Sequence, residues 1–362
     1  MELLRVAMPL VVPFRTSFGT QHTRDVLLVR VVTPEAEGWG ECVALAEPVY
    51  SSEYVEGAQH VLRTHLVPRL LAAQRPDAAG VAVMLAGVRG HRMAKGALEM
   101  AVLDAELRAT GLSLASRLGA VRERVPCGVS VGIADSVEQL CEWVSGYAEE
   151  GYLRVKLKIE PGWDVEPVRA VRERFADLPL QVDGNGAYTL DDAAALGALD
   201  AFDLLMLEQP LAADAVRDHA RLAERLATPL CLDESITSVT AAVDAIELGA
   251  CRIVNIKAGR VGGYLEARRI AEACALRDVP VWCGGMVETG LGRAANVALA
   301  ATPGFTLPGD TSASARFYAQ DLTEPFVMSD GRLDVPAGPG LGVTPLPAVL
   351  AQVTTAVERV RG

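Results

Sequence analysis

Three acidic residues each close an apolar run, at one interval. "LQVD" ends in Asp183, "LLMLE" in Glu208 and "PLCLD" in Asp233, each 25 residues after the one before. The apolar run ahead of them, "LRVKLKI", carries Lys156 and Lys158, and the run behind them ends "NIK" at Lys257. Lys158 precedes Asp183 by 25 residues, and Lys257 follows Asp233 by 24. Side chains two apart share a strand face, so Lys156 and Lys158 point the same way. Carboxylates gathered without partners repel one another and raise their own pKa values, a cost that a divalent cation removes. Three oxygen ligands with room left for water and substrate suit Mg2+ rather than zinc, with Mn2+ or another divalent cation able to substitute. Such a metal holds a substrate carboxylate and stabilises the enediolate formed when its α-proton leaves. A neutral lysine is then the base, and Lys156 beside Lys158 lowers a lysine pKa toward working pH. Taken singly, each acid reads equally well as the cap of a following helix, and each lysine as a salt-bridge partner. Three acids at equal spacing, flanked by matched lysines, fit those readings poorly.

These residues need a scaffold that aims several chain segments at one rim. From about residue 125, short apolar runs alternate with amphipathic stretches such as "DHARLAERLA" (218–227) and "YLEARRIAEACALR" (264–277). The runs occupy 127–133, 153–159, 180–183, 204–208, 229–233, 252–257, 279–285 and 305–310. Apolar strands alternating with one-faced helices indicate a parallel sheet covered by helices. Eight strands at steps near 25 residues fit a closed barrel whose strands all end at one mouth. The expected fold is α/β: a modified TIM barrel, (β/α)7β, over residues 123–315. An α+β capping domain is expected from residues 1–122, joined by 316–362. Within the cap, residues 1–50 read as extended with turns at Pro34 and 37–41, and 51–73 and 92–109 as helices. A hairpin about Asp330–Gly331 and a closing helix near 346–360 complete it.

With 362 residues, half of them hydrophobic and 22% charged, the chain can bury a large core and is not disordered. A net charge of −12 speaks against nucleic-acid partners, which require clustered Lys and Arg. Seven cysteines without a Cys-x-x-Cys pair read as reduced, mostly buried thiols of a cytoplasmic protein. The apolar start is broken by Arg5, Pro9 and Pro13, unlike a signal peptide, and no run reaches the roughly 18 apolar residues of a membrane span.

The pattern "KLK", "VDGN", "LEQP", "LDES" and "NIK" resembles the enolase superfamily in its muconate-lactonizing subgroup. The resemblance spans the whole chain. "FRTSFGTQ" (14–21), "GWGECVAL" (38–45), "KAGRVGGYLEARR" (257–269) and "GGMVETGLGRAANVALA" (284–300) look like the o-succinylbenzoate synthases that also act as N-succinylamino acid racemases. It implies a metal on Asp183, Glu208 and Asp233, with Lys158 and Lys257 as acid/base groups. It places Asn185 behind the metal, Asn255 beside the substrate, and Ser130 and Gly285–Met286–Val287 in a succinyl pocket. Phe18, Gly19 and Tyr54 become cap residues over that pocket. Arg260 is similar to an arginine of racemase-capable members, or is a solvated loop cation. In "VDGNGAY", glycines replace the Ala and Thr of many relatives, which loosens the loop after Asp183. The implied substrate is a small-molecule carboxylate: the synthase substrate 2-succinyl-6-hydroxy-2,4-cyclohexadiene-1-carboxylate of menaquinone biosynthesis, or an N-succinylamino acid. The family also implies a homo-oligomer. Muconate cycloisomerisation uses the same triad and lysines and stays open. Dipeptide epimerisation is demoted, because the eighth run ends in Asp310 alone where such enzymes show Asp-x-Asp.

Two motifs imitate other chemistry. "GVSVG" (128–132) matches a hydrolase elbow, yet Val129 and Val131 extend a strand and the only later histidine is His219. "GLGRAA" (290–295) with Asp310 twenty residues on imitates the fingerprint of an NAD-dependent dehydrogenase. It follows six strand–helix units, where that fingerprint belongs at the first.

Overall fold

A computed structural model describes residues 1–73 and 77–361. The chain opens with an antiparallel meander of β1 (Glu2–Thr16), β2 (Gly19–Val32) and β3 (Glu37–Cys42). The expected turn at 37–41 is therefore strand. Its glycines serve packing instead of turning: a Cβ on Gly38 or Gly40 would run into the backbone of helix Arg92–Thr110, which lies flat on β3. The helices expected at 51–73 and 92–109 are present as Val55–Leu71, in three consecutive segments, and Arg92–Thr110.

After the short β4 (Arg124–Pro126), seven parallel strands stand in chain order. They are β5 (Gly128–Val131), β6 (Arg154–Lys158), β7 (Leu180–Asp183), β8 (Leu207–Glu208), β9 (Leu230–Leu232), β10 (Ile253–Ile256) and β11 (Val281–Cys283). Every residue in them is buried, as a sheet covered by helices on its outer face and side chains within its curl requires. The eighth run, 305–310, does not form a strand. It contains Pro308, which has no N–H for a ladder, and joins its neighbours through isolated parallel bridges of Phe305 to Val281 and Gly309 to Cys127. Gly128 N donates to Gly309 O at 2.7 Å and Asp310 N to Cys283 O at 2.9 Å, closing the ring between β11 and β5.

Toward the C-terminus, Asp330 and Gly331 both take positive φ, as a tight turn demands, and Ser329 bridges Arg332. The following β12 (Arg332–Asp334) pairs with β4, so the expected hairpin is only a turn. The expected closing helix is cut short at Pro347–Val353, and β13 (Thr354–Arg359) adds to the outer edge of β1. Thr354, Thr355 and Val357 favour strand once an edge is on offer. All seven cysteines are buried and free. Among the described residues no helix is long and apolar enough to cross a membrane.

Candidate active site

Parallel register turns the sequence interval into adjacency. Lys158 is the direct cross-strand partner of Asp183, and Asp183 of Glu208. The next step slips: Glu208 pairs with Cys231, leaving Asp233 two residues further on, in the bend beyond β9. Lys257 lies just past β10. All three acids and all three lysines are buried. None of the acids caps a helix; the helices that follow them start at Thr189, Ala215 and Ser238.

Each acid faces an ammonium. Lys158 Nζ is 2.6 Å from Asp183 Oδ2, Lys156 Nζ is 3.1 Å from Glu208 Oε2, and Lys257 Nζ is 2.8 Å from Asp233 Oδ2. Lys156 also reaches Asp183 at 3.5 Å and Asp310 at 2.8 Å. What the sequence read as a like-charged neighbour of Lys158 thus stands as a counter-ion of three carboxylates, which raise its pKa against the pull of burial. Asn185 joins the two halves: its Oδ1 accepts from Lys158 at 2.6 Å and its Nδ2 donates to Glu234 Oε1 at 3.0 Å. Asn185 and Gly186 both have positive φ, and Asn185 N donates to Asp183 Oδ1. The loop expected to be loose is a tight turn.

Among the described residues no three His, Cys, Asp or Glu side chains form a ready-made cation cage, because the triad turns to its lysines. The donor chemistry nonetheless fits a hard divalent ion. Burial and the Asp183 carboxylate push Glu208 up to about 7, and burial with Asp233 pushes Glu234 up to about 8. Glu234 Oε2 is buried without a partner. Burial would raise Asp233 too, but Lys257 and Arg260 hold it down at about 2. Four carboxylates, Asp183, Glu208, Asp233 and Glu234, stand together against Lys156, Lys158, Lys257 and Arg260.

The pocket above these groups is lined by Lys156, Lys158, Lys257, Ser130, Gly285 and Val287, with an adjoining part reached by Phe18, Met286, Asn185 and Tyr50. Three expected contacts fall elsewhere. Gly19 lines a neighbouring cavity in the cap, which shares Phe18, Gln21 and Leu45 with the adjoining part of the pocket. Tyr54 is 38% exposed and lines neither part; Tyr50, four residues earlier, occupies the site. Asn255 lies under Gly284 and donates to Glu208 Oε1 at 2.7 Å, so it supports an acid rather than facing the pocket. Arg260 is buried, 3.0 Å from Asp233 Oδ1 and 2.9 Å from Asn255 O, which removes the loop-cation reading. Sequence reasoning also missed Glu234, Phe14, Phe317 and Arg293. Of these only Glu234, adjacent to Asp233, carried a readable signal.

The decoys dissolve on geometry. Ser130 sits within β5, and His219 accepts from Leu211 N inside its own helix–loop unit. The start of helix Gly290–Ala300 has its amides occupied, Thr289 N and Gly292 N by Glu41 and Gly290 N by Asp321, where a dinucleotide phosphate would have to bind.

A sheet of this order, with acids and lysines at its carboxyl rim under a cap from the chain's start, defines the class. Residues 1–119 match the mandelate racemase / muconate lactonizing enzyme N-terminal domain, and 139–349 match the enolase C-terminal domain-like family. The chain belongs to the mandelate racemase / muconate lactonizing enzyme family of the enolase superfamily. It is 68% identical to an N-succinylamino acid racemase from an Amycolatopsis species, over 98% of this chain and 97% of that one. It is 48% identical to an o-succinylbenzoate synthase from Geobacillus kaustophilus, over 94% and 91%. A solved enolase-superfamily structure from Listeria innocua superposes with a TM-score of 0.94 at 41% identity, covering 99% of this chain and 97% of that one.

Proposed function

We infer that this protein moves the proton α to a carboxylate, racemising N-succinylamino acids and carrying out the o-succinylbenzoate synthase dehydration through the same carbanion. The observation that carries the reading is the pair Lys158 and Lys257, brought by β6 and the end of β10 to one pocket on either side of the buried acids. A divalent cation on Asp183, Glu208 and Asp233 supplies, when bound, positive charge that holds the substrate carboxylate and offsets the enediolate.

In racemisation, one lysine in its neutral form takes the α-proton and the other, as an ammonium, returns a proton to the opposite face. The reverse direction exchanges their roles. In the dehydration, Lys158 takes the α-proton and the β-hydroxyl leaves from the same face with acid help, giving the aromatic product. Lys257 stays protonated there and contributes only its charge. Epimerisation of dipeptides fits less well. Their α-ammonium needs a free carboxylate, and Asp310, which faces the pocket, is occupied by Arg154 at 2.9 Å and Lys156 at 2.8 Å.

The test uses N-succinyl-phenylalanine in deuterated water, following optical rotation and loss of the α-proton signal. The parent is expected to racemise and exchange, Lys158→Ala to lose racemisation and the dehydration alike, and Lys257→Ala to lose racemisation. Racemisation by Lys257→Ala at the parental rate would refute the two-base scheme.

A further inference from the structure

The geometry points to Arg154 and Asp310 as a buried clamp that sets the position of the Lys156 ammonium and locks the seam where the barrel lacks an eighth strand. For its activity readout, this rests on the proposed function.

Arg154, Lys156 and Lys158 alternate along β6 and so share its inner face. Arg154 is the deepest and is 1% exposed. Its guanidinium crosses Gly128 on β5, where any Cβ would run into it. Beyond Gly128 it donates to Asp310 Oδ1 at 2.9 Å and to Pro308 O at 2.8 Å. One side chain thereby spans from β6 across β5 to the segment 305–310, which pairs with its neighbours through isolated bridges and not a continuous ladder.

The other oxygen of Asp310 takes Lys156 Nζ at 2.8 Å, nearer than Glu208 at 3.1 Å or Asp183 at 3.5 Å. Asp310 is therefore the one acid contacting Lys156 that does not belong to the triad. The Trp282 ring completes the setting, with Arg154 Cζ 5.0 Å and Lys156 Nζ 4.7 Å from its centre. Trp282 is wholly buried and its indole N–H is spent on Cys231 Sγ at 3.4 Å, so the ring cannot swing away cheaply. A flexible four-carbon ammonium is held on two sides, by a carboxylate and an aromatic face. Arg154 and Asp310 are positioning residues: neither needs to touch the reacting atoms to fix where this charge stands.

The experiment compares Asp310→Asn, Asp310→Glu and the parent, as full chains. Asp310→Asn keeps the shape and a hydrogen bond to Arg154 but loses the charge that draws Lys156. Expected are a fall in kcat of tenfold or more with KM within about threefold, and partial recovery in Asp310→Glu. Amide hydrogen exchange at Gly309 and Asp310 is expected to quicken while the strands β7 to β9 stay protected, and a crystal structure should show Lys156 displaced from Trp282. The exchange and crystallographic readouts do not depend on which substrate the protein uses. If the parent fails to racemise while these two shifts appear, the functional reading falls and the clamp stands. Parental kcat, or an unmoved Lys156 with unchanged exchange at Gly309, would overturn the clamp.

Discussion

The Tyr50 hydroxyl lies 3.1 Å from Asp233 Oδ2 and 3.2 Å from the Lys257 ammonium, whose nitrogen sits 4.6 Å from the centre of the same ring. Burial and the Asp233 carboxylate push the phenol pKa well above its ordinary value, so the group remains an O–H donor. It donates to Asp233 and accepts from Lys257. A cap residue thereby orients one acid and one lysine of the barrel, and Phe18 packs beside it with ring centres 6.2 Å apart and planes tilted by 58°.

Tyr50→Phe keeps the ring and removes the donor. A hydrogen bond to a charged partner contributes about 1.5–3 kcal/mol, or about ten- to a hundredfold in a rate that depends on it. Racemisation should fall into that range in Tyr50→Phe, and the same lost bond should lower the melting temperature by a few degrees. Tyr54→Phe, altering an exposed ring outside the pocket, should behave as the parent. Equal rates in the two variants would remove Tyr50 from the site.

The resemblance set Tyr54 over the pocket where the structure sets Tyr50, and the range of the interactions accounts for the miss. The barrel residues were legible because parallel strands of near-constant spacing make sequence interval equal spatial neighbourhood, as the pairs Lys158–Asp183 and Asp183–Glu208 show. Even there the interval overshot at Asp233, since nothing in an apolar run says which residue ends its ladder. Tyr50 meets Asp233 across 183 residues, a contact with no local pattern to announce it. The same applies to Thr354–Arg359, whose partner strand β1 lies at the other end of the chain. A short segment of mixed periodicity takes the structure its neighbour offers. Glycines misled at 37–41 for a different reason. A turn and a close helix approach both call for the missing Cβ, and only packing tells them apart.

Glu99 ties the cap to the barrel, and its ionisation should make stability depend on pH. It sits on cap helix Arg92–Thr110, and its Oε1 accepts from Leu265 N in the first turn of helix Tyr264–Ala275. Burial pushes its pKa from 4.5 up to about 7. Below pH 4.5 both folded and unfolded chains are protonated and the full stability is present. Between there and about 7 the unfolded chain gives up its proton while the folded one keeps it, so stability declines as pH rises. The loss is complete above that range and amounts to about 3 kcal/mol, at roughly 1.4 kcal/mol per unit. Glu99→Gln cannot ionise, so its melting temperature should drop less than the parent's between pH 5 and pH 8. Some slope should persist, because burial and the neighbouring Glu288 also push Glu41 up to about 7. Parallel melting curves across that range would show that Glu99 does not titrate on unfolding.

The crowding of acids at the rim predicts a stability response to divalent cations that needs no substrate. Glu208 at about 7 and Glu234 at about 8 mark carboxylates that burial and their neighbours keep from ionising easily. An ion that binds the folded chain alone stabilises it by mass action, by about 2.7 kcal/mol at a hundred times its dissociation constant. For a chain of 362 residues that corresponds to a rise of roughly 3–4 °C in melting temperature. The parent should therefore melt several degrees higher in Mg2+ than in EDTA, with Mn2+ giving a comparable rise. Asp183→Asn and Glu208→Gln should each flatten the response, because each removes one anionic oxygen donor while leaving volume nearly unchanged. Glu247→Gln, which alters a surface acid paired with Arg277, should keep it. A parent whose melting is the same in Mg2+ and in EDTA, or an Asp183→Asn variant that retains the full rise, would place any bound cation away from the ends of β7 and β8.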